Sequence, residues 1–122
     1  MFELLRSAKE IYVATERADG TPGKAAPVWF MYDGEAIYFT TLPTTYKAKR
    51  IARGSALHVW IGSTGGPHFV APAAIRRDPD LAARMAPAYA KKYWIAWLGL
   101  FRPSPERVRR GKTVIVEVRL PA

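Results

Sequence analysis

The sequence contains no cysteine. That excludes disulfides, thiolate nucleophiles, iron–sulfur clusters and cysteine–zinc sites, and with them thiol redox chemistry. Histidine is nearly as scarce: His58 and His68 are the two in the chain, too few for a conventional three-histidine zinc centre. Acidic residues are sparse as well, with ten Asp and Glu against nineteen Lys and Arg, and none lies between Glu35 and Asp78. Neither a paired-carboxylate spacing nor a Ser-His-Asp order stands out, which argues against a hydrolase built on either. The longest apolar run, Tyr93 to Phe101, is far short of the roughly 20 residues a spanning helix needs, so no membrane partner is expected. The opening MFELLRSAKE has no apolar stretch of the kind a secretory signal carries, and a cytoplasmic location is the expectation. No internal repeat, low-complexity tract or linker interrupts the chain, so residues 1–122 are read as a single domain.

What is present is a globular composition with a strong positive charge. Hydrophobic residues make up 49% and charged residues 24%, far from the signature of disorder. The formal charge is +9, and it is unevenly placed. Residues 1–61 hold eight Lys/Arg and six Asp/Glu, whereas residues 62–122 hold eleven and four. The acid-free stretch suits an anionic ligand such as a phosphate, and equally a weak attraction to nucleic acid. Charge by itself does not choose between them.

Turn signals divide the chain into strands and short helices. Ile11 to Glu16 is apolar and β-branched and precedes a turn at 18–23; the return strand, Ala25 to Tyr32, meets a second turn at Asp33-Gly34; and Ala36 to Thr41 completes a meander. Thr45 to Arg53 has Ala48, Ile51 and Ala52 at helical spacing, with Thr44 or Thr45 as cap and Gly54 as stop. Strands at Ala56 to Gly62 and His68 to Ile75 bracket a glycine-rich turn. Asp78 to Tyr93 reads as a capped helix with Leu81, Met85 and Tyr89 on one face, and Pro105 to Arg110 as a helical turn before a last strand, Thr113 to Arg119. The resulting expectation is a mainly β chain, a six-stranded antiparallel split β-barrel, closed or partly closed, with short connecting helices. An open α+β sheet is the alternative.

The segment AIYFTTLPTTYKAKRIAR, Ala36 to Arg53, carries the chemistry. A strand ending in Thr40 and Thr41 leads through Thr44 and Thr45 to a helix whose first turn holds Lys47. Hydroxyls, backbone N–H groups at a helix start and an ammonium make a phosphate cradle. The plainer reading is a polar loop followed by an amphipathic helix with a basic outer face.

The order and spacing of several pieces resemble the FMN-binding split barrels of the pyridoxamine-phosphate oxidase family and their deazaflavin-dependent relatives. The pieces are Ala14-Thr15, Asp19-Gly20-Thr21-Pro22, Pro27-Val28-Trp29-Phe30, Asp33-Gly34, Ile37-Tyr38-Phe39-Thr40 and the following Lys47, and the match runs from about Ile11 to Ile61. The resemblance implies that Ala26, Pro27, Val28 and Trp29 lie beside a flavin ring, chiefly through backbone groups. It implies that Thr40, Thr41, Tyr46 and Lys47 hold the cofactor phosphate. It also implies FMN as cofactor and a homodimer with the site between two chains. The sequence departs from the oxidase proper, which has a lysine where Trp29 stands, an arginine where Tyr46 stands, and a C-terminal Arg-x-His segment. These departures point away from vitamin B6 oxidation, and the Trp in Pro27-Val28-Trp29-Phe30 is similar to that of the deazaflavin group, which uses coenzyme F-420, or of FMN-binding members without a defined activity. A non-enzymatic nucleic-acid or anion-binding barrel is the reading from a different class, although no nucleic-acid-reading motif is present.

No side chain is singled out as catalytic, since the cofactor would carry the reaction. His58 is expected to be a packed barrel residue, and His68, after the Gly-Gly-Pro turn, to lie nearer the ligand. Tyr93, Trp94, Trp97, Leu100 and Phe101 form an apolar cluster expected in a dimer interface.

Overall fold

The computed structural model describes residues 2–93 and 103–120. The expected aromatic cluster at Trp94, Trp97, Leu100 and Phe101, with Arg102 after it, lies outside the described residues apart from Tyr93. A 3-10 turn, Phe2–Arg6, opens the chain. Strands β1 (Ile11–Thr15), β2 (Ala26–Val28), β3 (Met31–Tyr32) and β4 (Ala36–Thr41) follow. Helix α1 (Tyr46–Ala52) precedes β5 (Leu57–Ile61), β6 (His68–Ala71) and β7 (Ala73–Arg76). Helices α2 (Pro79–Lys92) and α3 (Pro105–Arg109) precede the final β8 (Val114–Arg119).

The strands form two antiparallel sheets of four, ordered β2-β1-β5-β6 and β3-β4-β8-β7. The chain is mainly β with short helices, the arrangement of a split β-barrel. The strand count differs from six: the described residues hold eight, because two long apolar runs each bend from one sheet into the other. The run through residue 32 breaks at Trp29 and Phe30, and the run through residue 75 breaks at Pro72. Proline has no N–H to give a ladder, so the second break is a local necessity. At the first break the backbone bonds that the ladder loses are replaced by a tyrosine of α2 and the tyrosine that caps its C-terminus. Tyr89 Oη donates to the Trp29 carbonyl at 2.7 Å. Tyr93 Oη accepts the Phe30 N–H at 3.2 Å and donates to the Lys9 carbonyl at 2.6 Å. A bend this deep in the fold needs such partners, because unpaired buried backbone groups are costly.

Alternation along the strands sets the two cores. Leu57, Val59 and Ile61 point between the sheets with Ile37, Phe39, Val116 and Val118, and with the fully buried Phe30 from the bend. The opposite face of the second sheet is covered by α2, where Leu81, Met85 and Tyr89 pack with Ile115, Val108 and Tyr93 against Trp29, Met31 and Tyr38. The expected helix face is therefore the one that packs. The local signals also act as anticipated. Asp78 caps α2, accepting from the Asp80 and Leu81 N–H groups, and the helix runs on through Pro87. Asp33 Oδ1 accepts from the Glu35 and Ala36 N–H groups at 2.9 Å each, while Gly34 takes a positive φ of 96° that an L side chain resists. None of the helices among the described residues is long and apolar enough to cross a membrane.

Candidate functional site

A cleft of about 730 Å³ opens where β2, the end of β4 and the start of α3 approach one another. Val28 and Trp29 form one wall, Thr40, Thr41 and Leu42 the floor, and Ser104, Arg107 and Thr113 the far side. Its size lies within the range of small-molecule and cofactor sites. Four of the eight expected cofactor-binding residues, Val28, Trp29, Thr40 and Thr41, thus meet around one space. β2 stands at the edge of its sheet, so one side of its backbone has no neighbouring strand to pair with. That edge carries Ala26 and Pro27, which do not line the cleft itself.

Trp29 is half-buried and its ring lies flat on that of Tyr93, with centroids 4.3 Å apart and planes 4° from parallel. Tyr89, which also lines the cleft, grips the Trp29 carbonyl. Burial pushes the Tyr89 phenol far above its ordinary value, and burial also pushes Tyr93 up to about 12. Both hydroxyls therefore remain protonated donors throughout the physiological range. They act as struts behind the Trp29 wall.

The helix start differs in detail from a simple phosphate cradle. Thr45, and not Thr44, is the cap of α1: its Oγ1 accepts the Ala48 N–H at 3.2 Å and donates to the Leu42 carbonyl at 2.9 Å. One of the expected free N–H groups is therefore already used. Tyr46 is 78% exposed and lies under the Arg50 guanidinium rather than in the cleft. Lys47 is also outside the cleft lining, but its setting is unusual for a lysine. It is half-buried, with Nζ 5.6 Å above the Phe39 ring and no hydrogen-bond or ion-pair partner among the described residues. Burial holds its ammonium below the usual lysine range. Phe39 is the β4 residue just before Thr40 and points into the core between the sheets, so this charge lies over the strand that also bears the cleft's threonines. Lys49, two residues on, is exposed.

Sequence reasoning missed three cleft residues on the far side, Ser104, Arg107 and Thr113, and it missed Tyr89 as anything but core. The histidines also fall differently. His68 is not beside the cleft; it stands on the outer face of the first sheet, where its Nε2 is 3.0 Å from His58 Nδ1, and His58 Nε2 is 3.0 Å from Glu16 Oε1. His58 is packed, as expected, at 6% exposure. Trp60 stacks on His68 at 4.7 Å. Inward-facing Leu57, Val59 and Ile61 force His58 and Trp60 outward by alternation, and β6 pairing then brings His68 beside them.

The sequence matches the pyridoxamine 5'-phosphate oxidase family over residues 1–120. The chain belongs to that family. Solved structures of varied description share the fold. A protein described as an F-420 reductase is 25% identical, with a TM-score of 0.62, over 99% of this chain and 93% of its own. General stress protein 26 of Bacillus anthracis str. Sterne is 20% identical, TM-score 0.63, over 96% and 83%. The heme storage protein HutZ of Vibrio cholerae is 14% identical, TM-score 0.67, over 98% and 87%. No curated protein matches the sequence. At these identities the family fold is common ground while the described roles diverge, so the reading of function returns to the residues of the cleft.

Proposed function

We propose that this family member binds FMN in the cleft beside β2 and acts as an oxidoreductase or flavin carrier, as a homodimer. The observation that carries the reading is the cleft's floor of threonine hydroxyls, followed in the chain by a helix whose first turn holds Lys47, a half-buried ammonium with no partner among the described residues. Buried charges in proteins are ordinarily paired. An unpaired one next to a cleft is suited to a ligand anion, and phosphate takes charge-assisted bonds from lysine and hydroxyl donors. At the other wall, Val28 and Trp29 offer a flat apolar surface, and the edge of β2 offers backbone groups to a heteroaromatic rim.

A flavin bound there would supply the electron or hydride chemistry. The protein's part is binding and shaping: Tyr89 and Tyr93 hold Trp29 in place, Thr40 and Thr41 take phosphate or ribityl oxygens, and Lys47 balances the phosphate charge. Coenzyme F-420 is the second reading. It is favoured by the likeness to the F-420 reductase across 99% of the chain and by the +9 charge, which suits a polyanionic tail. Titration calorimetry of purified protein with FMN and with coenzyme F-420 in parallel, beside a visible spectrum of the protein as isolated, tests both. Micromolar or tighter binding of FMN supports the first reading, and binding of the deazaflavin alone supports the second. Binding of neither sinks the flavin assignment.

A further inference from the structure

We propose that Arg107, sixty residues beyond Lys47 in sequence, is the cation that receives the cofactor's phosphate inside the cleft. The proposal rests on the reading of the cleft as a flavin site and adds a residue that the phosphate motif does not contain. Arg107 is the one charged side chain among the described residues that line the cleft. Its neighbours on α3 show why this charge is available. Glu106 pairs with Arg110 at 2.8 Å and with Arg109 at 3.5 Å, and no carboxylate among the described residues pairs with Arg107. Three arginines on α3 and its C-cap thus share a single acid, and the one left uncompensated is the one at the cleft.

Its placement is held at both ends. Ser104 caps α3 by accepting the Arg107 N–H at 3.3 Å, which fixes the backbone. The side chain donates from Nε to Thr113 Oγ1 at 3.3 Å, which leaves both terminal NH2 groups for a ligand. Thr113 precedes Val114, the β8 residue paired with Thr41. The guanidinium is therefore tethered at the Thr41 end of the cleft. A guanidinium so oriented can take a phosphate monoester through two parallel bonds, whereas an ammonium acts as a point charge.

The test compares FMN with riboflavin, which lacks the phosphate, by calorimetry on wild type, Arg107→Gln and Arg107→Lys. Arg107→Gln should weaken FMN binding by about 10- to 100-fold and riboflavin binding by less than about 3-fold. Arg107→Lys should recover part of the loss. Unchanged FMN affinity in Arg107→Gln, or an equal loss for both ligands, overturns the proposal while leaving the flavin site intact. A thermal-shift titration with inorganic pyrophosphate separates the two claims. If wild type binds no flavin yet pyrophosphate raises its melting temperature and fails to do so in Arg107→Gln, the anion site stands and the flavin reading falls. If wild type binds neither flavin nor pyrophosphate, both fall.

Discussion

Replacing Lys47 by methionine should move folding and binding by very different amounts, and the structure supplies the reasons. In the free protein the ammonium has no ion pair or hydrogen bond to lose among the described residues. It stands 5.6 Å from the Phe39 ring, a cation–π interaction of about 0.5–1 kcal/mol. Methionine keeps the apolar contact and removes the cost of holding a half-buried charge, so the two changes offset and stability should shift by less than about 1 kcal/mol. In the complex the same substitution removes a charge-assisted bond of about 1.5–3 kcal/mol, which is roughly a 10- to 150-fold weaker FMN affinity. Lys49→Met is the control. At roughly 100° per residue it lies about 200° around α1 from Lys47, and it is exposed, so only screened attraction is lost and the change should stay below about 3-fold. Calorimetry and thermal melts on both variants report the two quantities separately. The pH dependence adds a check, because burial lowers the Lys47 value: affinity present when the amine is charged should fall on the alkaline side earlier than for an ordinary lysine. If Lys47→Met binds FMN like wild type while Lys49→Met is weakened, the phosphate lies half a helical turn from where we put it.

Four further outcomes follow from particular contacts. Tyr93→Phe removes both the bond to the Lys9 carbonyl and the acceptor for the Phe30 N–H, and should cost about 1–3 kcal/mol in urea unfolding; an unchanged midpoint would show that the bend at Trp29 is held by other means. Lys92, whose Nζ lies 3.4 Å from the Phe30 ring centroid, has its value lowered from 10.5 to about 8 by burial first and by Lys9 second. The unfolded chain then binds more protons between about pH 8 and 10.5, so stability should rise with pH across that window, and Lys92→Met should flatten the rise. Sedimentation at micromolar concentration should give twice the chain mass, and a strict monomer that still bound FMN would contradict a two-chain site. DNA binding should be weak and steeply salt-dependent, which a salt series of filter-binding assays would check, since the +9 charge is not organised by any base-reading motif.

How much of this was legible in the sequence depends on whether the signal was local. Caps and turns were: Asp78, Thr45, Asp33-Gly34 and Gly54 each act within four residues of themselves, and each was visible as a residue type at an offset. The face of α2 was also legible, because Leu81, Met85 and Tyr89 repeat with the helical period. The breaks at Trp29–Phe30 and Pro72 were hidden for opposite reasons. Pro72 was in plain view, but a single proline inside an apolar run reads as an edge position as readily as a bend. At Trp29 nothing local marks the break. What stabilises it is a pair of hydroxyls from Tyr89 and Tyr93, sixty or more residues away.

The same division runs through the cleft. The β2 and β4 walls lie within one contiguous motif, so resemblance could place Val28, Trp29, Thr40 and Thr41 near one another. The far wall could not be placed that way, because its position is set by a ladder. β8 pairs with β4 so that Val114 meets Thr41, and this register carries Thr113, and through it Arg107, to the threonine end. In the linear sequence Arg107 sits among Arg102, Arg109, Arg110 and Lys112 and reads as one charge in a solvated run. Among the described residues, the pairing of Glu106 separates it from Arg109 and Arg110, and its place in the cleft lining separates it from Lys112. A basic run therefore says little about function until one knows which of its charges are already neutralised. Here the single acid of α3 pairs with Arg109 and Arg110, which do not line the cleft, and leaves Arg107 at it, which is why Arg107→Gln should cost FMN affinity while Arg109→Gln should not.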